Sequence, residues 1–310
     1  MIRLALVGLG KIARDQHLPA IAATPGVELV AIASRNASLP GLPQFETIDA
    51  LIASDVAFDA VTLATPPQGR FEQAAAALRA GRHVFLEKPP GATLSEVETL
   101  RSLAQEAGVT LFASWHSRYA AAVEPARQFL SGRTVRRVII EWKEDVRHWH
   151  PGQAWIWEPG GLGVFDPGIN ALSILTQIMP FPVRLTASDL DVPANRAAPI
   201  AASLQLAGPG GEPVSAEFDW RQTGPQTWDI IVETDGGRLV LSKGGSEMSI
   251  DGTAATSGED AEYRGLYARF ASLVQEKRSD VDLAPMTLVA DAFLYGRIRT
   301  VEAFEDDPRP

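Results

Sequence analysis

The amino-acid sequence predicts an α/β domain built on a doubly wound parallel sheet, followed by an α+β domain with a large, mainly antiparallel open sheet. Three observations support this prediction. The chain begins with an apolar run that leads directly into a glycine-rich turn. Strand-like runs then alternate with amphipathic helical patterns, which is typical of a parallel sheet covered on both faces. Further along, alternating segments separated by turn signals indicate antiparallel strands. We therefore expect two domains, residues 1–117 and residues 118–310.

The first strand is predicted at Ile2–Val7, a run of mainly branched apolar residues. It leads into Gly8-Leu9-Gly10-Lys11-Ile12-Ala13 and then into a segment with helical spacing. Gly8 permits a tight turn, Gly10 lets the backbone approach a pyrophosphate, and Ala13 allows the helix to pack closely on the strand. The helix also offers free N–H groups to phosphates. This strand–turn–helix pattern predicts a Rossmann dinucleotide-binding domain.

The second strand, predicted at Glu28–Ala33, ends at Ser34-Arg35-Asn36. An acidic residue at this strand end would accept hydrogen bonds from a ribose 2′-hydroxyl and favour NAD. Ser34 instead offers a hydroxyl donor, and the Arg35 guanidinium can bind a 2′-phosphate through paired hydrogen bonds. We expect NADP to be preferred, with NAD tolerated. Two alternatives remain open for Arg35, which could stack on the adenine or be a solvated loop residue.

Three further strands complete the predicted parallel sheet, at Asp59–Ala64, His83–Leu86 and Thr110–Ala113. Thr65-Pro66-Pro67 ends the first of these, because a pair of prolines cannot continue a central strand. Ligands of such sheets bind beyond the carboxyl ends of the strands. The loops that begin there start at Gly8, Ser34, Thr65, Glu87 and Ser114.

Two amphipathic helices are predicted between these strands. The first spans Gln68–Ala80, with Gly81 as a C-terminal cap, and the second spans Leu94–Ala107, with Thr93 as an N-cap.

The second domain is predicted to begin with a helix at Tyr119–Leu130 and a long strand at Val135–Val146. Helical patterns near Glu262–Lys277 and Pro285–Ala303 close the chain. Turn signals such as Asp235-Gly236-Gly237 separate the strands between them. Those further strands are predicted at Arg184–Asp191, Ala201–Leu206, Ser215–Arg221, Trp228–Glu233, Arg238–Leu241 and Glu247–Ile250.

The segment from Lys143 to Asn170 combines histidines, tryptophans, carboxylates and glycines with little apolar periodicity. Aromatic rings beside carboxylates and amides suit a sugar, whose C–H faces pack on rings while its hydroxyl groups take polar partners. A rigid structural loop would explain some of the rings. It explains poorly the joint presence of the polar residues Glu144, His148, His150, Asp166 and Asn170.

Composition and charge exclude several other classes of function. The net charge of −10 argues against a nucleic-acid partner, and the absence of cysteine excludes disulfides and cysteine metal sites. His148, His150 and Glu144 could be imagined as metal ligands, but no third ligand is clearly spaced beside the pair His148-x-His150, so no metal is expected. The sequence begins with a strand rather than a signal peptide and contains no apolar run long enough to span a membrane. We therefore expect a soluble, cytoplasmic protein.

The N-terminal GxGxxA pattern occurs together with Glu87-Lys88-Pro89 at a strand end. This pairing resembles the glucose–fructose oxidoreductase / inositol dehydrogenase (Gfo/Idh/MocA) family. The resemblance implies that Lys88 lies beside the nicotinamide and the reacting carbon, where it orients the substrate hydroxyl and eases its deprotonation. It also implies that Pro89 can follow a cis peptide bond. The alternative is a surface lysine that pairs with Glu87.

Gly160-Gly161-Leu162-Gly163 followed by Asp166-Pro167-Gly168-Ile169-Asn170 resembles the family's GGGxxxDxGxH segment. Asp166 would be the N-cap of a helix with Pro167 in its first turn, and Asn170 would lie on the same face as Asp166. The family's acid–base histidine is replaced by Asn170, so another group must accept the substrate proton. Asp166 is preferred, with Lys88 as a relay or His150 as alternatives.

Four segments, EKPPGAT, SWHSR, WKEDVRHWHPGQ and WEPGGLGVFDPGIN, together resemble the bacterial sugar 1-dehydrogenases of this family that act on L-arabinose and D-galactose. The resemblance implies hydride transfer from the anomeric carbon to a nicotinamide, giving an aldonolactone. The implied catalytic residues are Lys88, Asp166 and Asn170. The implied cofactor contacts are Gly8, Gly10, Lys11, Ile12, Ala13, Ser34, Arg35, Thr65, Pro66, Glu87 and Lys88. The implied sugar contacts are Lys88, His116, Glu144, Trp149, His150, Asp166, Asn170 and Trp228.

Two other functions remain open at this stage. The chain could be a dehydrogenase of another sugar or a cyclitol, or a sensor that binds NADP(H) without turnover, because the family includes regulatory members. The intact Lys88 and Asp166 argue against a sensor. The family's open sheet often forms homo-oligomers, and the sequence leaves the subunit number open.

Overall fold

The computed structural model describes residues 1–305 and divides the chain into two compact units. The first unit comprises Met1–His116 and Tyr263–Asp282, and the second comprises Ser117–Glu262 and the chain from Leu283 onward. Within residues 1–305, no helix is both long and apolar enough to cross a membrane.

The first unit contains a six-stranded parallel sheet with the strand order β3-β2-β1-β4-β5-β6. A π-helical turn at Ala13–His17 precedes its first α-helix. The strands are β1 (Ile2–Val7), β2 (Val27–Ala33), β3 (Gln44–Phe45), β4 (Ala60–Leu63), β5 (His83–Leu86) and β6 (Leu111–Ala113). The helices are α1 (Leu18–Ala23), α2 (Ile48–Ile52), α3 (Arg70–Arg79) and α4 (Leu94–Ala107). Helix α8 (Glu262–Glu276) also belongs to the first unit, except for its first residue.

The apolar strands of this sheet are buried as the sequence predicts. All four residues of β4 and all three of β6 are buried, because helices cover such sheets on both faces. Thr93 forms a complete capping box with Glu96 at the start of α4, which confirms the predicted cap. The predicted doubly wound parallel sheet is thus confirmed.

The second unit contains a nine-stranded sheet with the order β14-β13-β12-β11-β7-β10-β9-β8-β15. It is mainly antiparallel, and only the pairs β7/β10 and β8/β15 are parallel. The strands are β7 (Val135–Lys143), β8 (Arg184–Pro193), β9 (Ala201–Ala207), β10 (Pro213–Asp219), β11 (Thr227–Thr234), β12 (Gly237–Ser242), β13 (Glu247–Ile250), β14 (Thr253–Ser257) and β15 (Arg297–Val301). The helices are α5 (Val123–Leu130), α6 (Val146–Trp149), α7 (Phe165–Ile178) and α9 (Ala284–Leu294).

The sheet of the second unit buries one face. Val138, Ile140 and Trp142 alternate along β7 and are all buried, while their neighbours on the strand are more exposed. Helix α7 is buried along nearly its whole length and contacts both β7 and α9. The predicted α+β architecture is therefore confirmed.

Helix α8 lies in the first unit of the structure, whereas the sequence analysis assigned it to the second domain. The reason is a cluster of aromatic side chains. Tyr267 and Phe270 are fully buried and have ring contacts with Phe85 on β5, and Phe270 also contacts Phe112 on β6. Such contacts bury large apolar surfaces, and nothing in the local sequence of α8 indicates which sheet supplies the partner rings.

Three predicted elements of the second domain differ in the structure. The helix predicted at Pro285–Ala303 ends at Leu294, and β15 then pairs with β8. Gly296 and the β-branched residues of β15 favour this break. The helix predicted from Tyr119 begins at Val123. The strand predicted to reach Val146 ends at Lys143, because Asp145 caps the short helix α6.

Candidate active site

A cleft of about 470 Å³ lies along the carboxyl ends of strands in the first unit. It is bordered by the turn after β1, the end of β2, the start of α2 and the end of β4. The predicted cofactor residues among its lining are Gly8, Gly10, Ser34, Arg35, Thr65 and Pro66. The loops that the parallel sheet brings to one edge therefore do form a concave site, as expected for this topology.

The glycine turn has the geometry that a dinucleotide requires. Gly8 has a φ of +90°, and an added Cβ would lie only 3.0 Å from the carbonyl carbon of Ala64. A Cβ added at Gly10 would meet no protein atom within 4 Å, so its side of the turn is open to the cleft. Ala13 is fully buried and packs with Leu6 and Ile32. These features fit an NAD(P) pyrophosphate above Gly10.

Both basic and acidic residues line the cleft near the end of β2. Ser34 and the exposed Arg35 line the cleft, and so do Glu46 and Asp49 at the start of α2. The backbone N–H of Ser34 donates to the Phe45 carbonyl at 2.8 Å, which fixes the β2 end against β3. The two acidic residues were missed by the sequence analysis, because they follow the short strand β3, which it did not predict.

Among the described residues, the lining of this cleft does not include the predicted cofactor contacts Lys11, Ile12, Ala13, Glu87 and Lys88. Lys11 is exposed and forms an ion pair with Asp15 one helical turn later, and Ile12 is 40% exposed.

Lys88 follows the end of β5, and its peptide bond to Pro89 is cis. The preceding residue, Glu87, is only 4% exposed. Its carboxylate accepts a hydrogen bond from the backbone N–H of Lys88 and another from the Tyr263 hydroxyl at 2.6 Å. His17 Nε2 lies 3.3 Å from the same carboxylate. The buried Glu87 carboxylate thus accepts two hydrogen bonds and faces an imidazole within the first unit.

These donors set the charge of Glu87. Burial by itself would raise the pKa of the Glu87 carboxyl, since burial disfavours the charged form. The nearby imidazoles of His17 and His116 and the hydrogen bond from Tyr263 outweigh burial and lower the pKa of Glu87 to about 2. Glu87 is therefore a carboxylate at neutral pH.

Arg70 holds the same loop from another direction. It is only 2% exposed, and its guanidinium donates hydrogen bonds to the backbone carbonyls of Glu87 and Pro89. It also donates to the Thr65 carbonyl, in part through Nε at 3.1 Å. The sequence analysis missed Arg70, because an arginine in the first turn of an amphipathic helix is usually solvated.

In the second unit, a buried carboxylate organises several residues predicted to bind a sugar. Glu144 follows β7 and is 3% exposed. Its Oε1 accepts from Trp220 Nε1 at 3.3 Å, and its Oε2 accepts from Trp228 Nε1 at 2.8 Å. His150 Nε2 lies 3.3 Å from Oε1. Glu144 therefore fixes Trp228 and His150, which were both predicted to contact the substrate. Its other partner, Trp220, was not predicted.

His150 lies between two buried carboxylates. Its Nδ1 is 3.6 Å from Asp166 Oδ2, and its Nε2 faces Glu144. The side chain of His150 is 15% exposed, whereas those of Asp166 and Glu144 are 5% and 4% exposed. This arrangement places one imidazole beside two carboxylates, and the imidazole is its most solvent-accessible member.

The predicted N-cap role of Asp166 is wrong. Helix α7 begins at Phe165, and Val164 occupies the N-cap position without a side-chain cap hydrogen bond. The chain turns into the helix early because Gly163 has a φ of +55° and the N–H of Val164 donates to the Pro199 carbonyl at 2.7 Å. Asp166 lies in the first turn, where the helix dipole still favours its negative charge.

Asn170 follows Asp166 by four residues on α7 and is half-buried. Trp149 is 37% exposed, and its ring centroid is 5.0 Å from that of Trp228. Trp228 in turn stacks against the buried Trp142. The second unit therefore brings together Glu144, Trp149, His150, Asp166 and Trp228, with Asn170 one turn further along α7.

His116, another predicted sugar contact, lies in the first unit and stacks on the ring of Tyr263 with centroids 5.4 Å apart. Lys88 also lies in the first unit. His17 and Tyr263 were missed by the sequence analysis, because their role depends on α8 packing against the first sheet.

Three comparisons with known proteins agree with this geometry. A profile of the GFO_IDH_MocA oxidoreductase family, described as having an NAD-binding Rossmann fold, matches residues 2–114. Galactose 1-dehydrogenase of Pseudomonas fluorescens is 47% identical over 98% of this chain and 99% of its own length. The crystal structure of D-galactose-1-dehydrogenase from Rhizobium etli is 56% identical, with a TM-score of 0.95 over 98% of both chains. The 3-ketoreductase KijD10 of Actinomadura kijaniata shares the fold, with 21% identity and a TM-score of 0.84. This match covers 98% of the present chain and 99% of KijD10.

The lowered pKa of Glu87 predicts a specific acid sensitivity. Its pKa is about 2 in the folded protein against 4.5 for an unperturbed group, so its contribution to stability is present above pH 4.5 and lost as the pH falls towards 2. In Glu87→Gln this contribution is absent. We expect the unfolding free energy of the wild type to fall more steeply than that of the variant over this range, by at most about 3 kcal/mol.

Urea unfolding at a series of pH values measures this difference. Parallel pH profiles for the two proteins would contradict the assignment of a buried, ionised Glu87.

Proposed function

Because the chain belongs to the Gfo/Idh/MocA oxidoreductase family, we propose that it oxidises the anomeric C1 of an aldose to the aldonolactone, with NADP as the preferred hydride acceptor. The proposed substrates are D-galactose, L-arabinose and D-fucose. The galactose 1-dehydrogenase names of two relatives that match nearly the full chain support the substrate class. We also propose a cytoplasmic location and leave the subunit number open.

The strongest structural support is the combination of indole rings with buried carboxylate and imidazole groups in the second unit. Trp149 and Trp228 present ring surface on which the C–H face of a pyranose can pack. Asp166, His150 and Asn170 supply acceptors and donors for its hydroxyl groups. Glu144 already accepts two indole N–H bonds, so we propose that it acts mainly by orienting Trp228 and His150.

The reaction removes a hydride and a proton from C1 and its hydroxyl group. Bound NADP supplies the nicotinamide C4 that accepts the hydride. We propose that Asp166 accepts the hydroxyl proton and that His150, at 3.6 Å from its carboxylate, receives it next. From the family motif, we propose that Lys88 and Asn170 orient the hydroxyl group. The lactone carbonyl then forms as the C1–H bond breaks.

L-Arabinose and D-galactose have the same pyranose ring configuration and differ only by a hydroxymethyl group at C5. A site open at that corner accepts both. We therefore expect turnover of L-arabinose, D-galactose and D-fucose, and little of D-glucose, D-xylose or myo-inositol, measured by the absorbance of reduced nicotinamide with NADP and with NAD. Turnover of glucose or myo-inositol alone would reject this substrate class. Tight NADPH binding without any turnover would instead indicate a sensor.

Arg35 is proposed to bind the 2′-phosphate of NADP. In Arg35→Ala we expect the KM for NADP to rise roughly tenfold while the KM for NAD changes less than about twofold, because charge-assisted hydrogen bonds to the phosphate are lost. Arg14→Ala is a matched control, since Arg14 is a nearby arginine whose guanidinium donates to the Ser38 carbonyl. Equal rises for NADP and NAD would indicate adenine stacking, and no change would indicate a solvated residue. Either result would contradict the proposal.

The proton acceptor can be identified by comparing two substitutions. We expect Asp166→Asn to lower kcat roughly a thousandfold, which is within the range for general bases, and His150→Asn to lower it less. Asp219→Asn is a control for loss of an aspartate, because Asp219 pairs with Arg221 at 2.8 Å. Steady-state kinetics with D-galactose and NADP measures these effects. Near-normal turnover of Asp166→Asn, together with an inactive His150→Asn, would make His150 the base.

A further inference from the structure

We propose that a buried cluster of His17, Glu87 and Tyr263, together with the Arg70 guanidinium, is a positioning device for Lys88. This inference rests on the proposed function, in which Lys88 contacts the substrate. It assigns Glu87 a role different from the cofactor contact that the family resemblance implies, since its carboxylate is buried among side chains of the first unit.

The carboxylate of Glu87 fixes one backbone atom of Lys88. Its Oε2 accepts the Lys88 N–H, and its Oε1 accepts the Tyr263 hydroxyl at 2.6 Å and faces His17 Nε2 at 3.3 Å. Both oxygens are therefore engaged, so the carboxylate has little freedom to rotate. A charged acceptor also makes a stronger hydrogen bond to a backbone N–H than a neutral one does.

The other members of the cluster are themselves fixed. His17 is fully buried, and its Nδ1 lies 2.7 Å from the Tyr267 hydroxyl, which lies 3.1 Å from Thr62 Oγ1 on β4. Tyr263 and Tyr267 both belong to α8, one turn apart. The Tyr267 hydroxyl therefore contacts the cluster at His17, whereas the Tyr263 hydroxyl donates to Glu87 itself.

Arg70 fixes the backbone on both sides of Lys88. Its guanidinium donates to the carbonyls of Glu87 and Pro89, the residues immediately before and after Lys88. A third carbonyl, that of Thr65 in the cleft lining, is bound by the same group. A buried guanidinium requires several acceptors, and here they are supplied by the two loops that carry Lys88 and Thr65.

The hydrogen bonds that Glu87 and Arg70 make to this loop involve its backbone atoms. They determine where the side chain of Lys88 begins without using its ammonium group. Misplacement of a catalytic group by about 1 Å can cost roughly a hundredfold in rate, so loosening this loop should lower kcat more than cofactor affinity.

Two tyrosines of α8 offer a matched test. Tyr263 and Tyr267 are 5% and 0% exposed, and replacement by Phe removes one buried hydroxyl from each. Of these two hydroxyl groups, that of Tyr263 donates to Glu87, and that of Tyr267 contacts His17 and Thr62. We expect Tyr263→Phe to lower kcat for D-galactose roughly tenfold with the Kd for NADPH unchanged, and Tyr267→Phe to lower kcat less than about threefold. Equal losses of kcat, or an unchanged kcat in Tyr263→Phe, would overturn the proposal.

Glu87 itself provides a rescue test. Glu87→Gln keeps an acceptor for the Lys88 N–H, whereas Glu87→Ala removes it. We expect Glu87→Gln to retain several times more kcat than Glu87→Ala, and equal kcat values for the two would count against the proposal. If Glu87→Ala does not fold, the kcat values of Tyr263→Phe and Tyr267→Phe still test the positioning role.

A measurement without substrate separates this inference from the proposed function. Trinitrobenzenesulfonate labels lysine amines, and peptide mass spectrometry can follow Lys88 alone in the intact protein. We expect Lys88 to be labelled several times faster in Tyr263→Phe than in the wild type or in Tyr267→Phe. If the wild type turns over no aldose, the proposed function fails, and this difference would still support the positioning role. Identical labelling rates in all three proteins would overturn it.

Discussion

The loop after β5 in the first unit depends on one constraint, the burial of a charged carboxylate at the end of a parallel strand. An isolated carboxylate in a protein interior is strongly disfavoured unless hydrogen bonds and opposite charge compensate it. Glu87 obtains this compensation from His17, Tyr263 and the N–H of Lys88. Because Tyr263 belongs to α8, the C-terminal part of the chain must return to the first sheet for this charge to be stable.

The second unit also buries a carboxylate, that of Glu144. Two indole N–H groups and His150 surround this carboxylate, and His150 also approaches Asp166. The indole groups of Trp220 and Trp228 are thereby fixed beside a buried carboxylate. In both units a buried carboxylate fixes the neighbouring groups.

The sequence was most informative where the structure is determined by local contacts. The turn at Gly8 follows from a strand, two glycines and a helix that are adjacent in the chain, and the capping box at Thr93 follows from residues three positions apart. Contacts between distant residues were not predictable in this way. The partners of Glu87 and Arg70 come from other elements of the first unit. The predicted N-cap role of Asp166 depended on where α7 begins, and a contact with the distant residue Pro199 sets that start.

The central claim is that hydride leaves the anomeric carbon of an aldose. Incubating the protein with NADP and D-galactose deuterated at C1, followed by mass spectrometry and NMR of the nucleotide and sugar, tests it most directly. We expect one deuterium at C4 of the reduced nicotinamide and galactonolactone as the sugar product. Reduced cofactor without deuterium, with an oxidised hydroxyl group elsewhere on the ring, would contradict it.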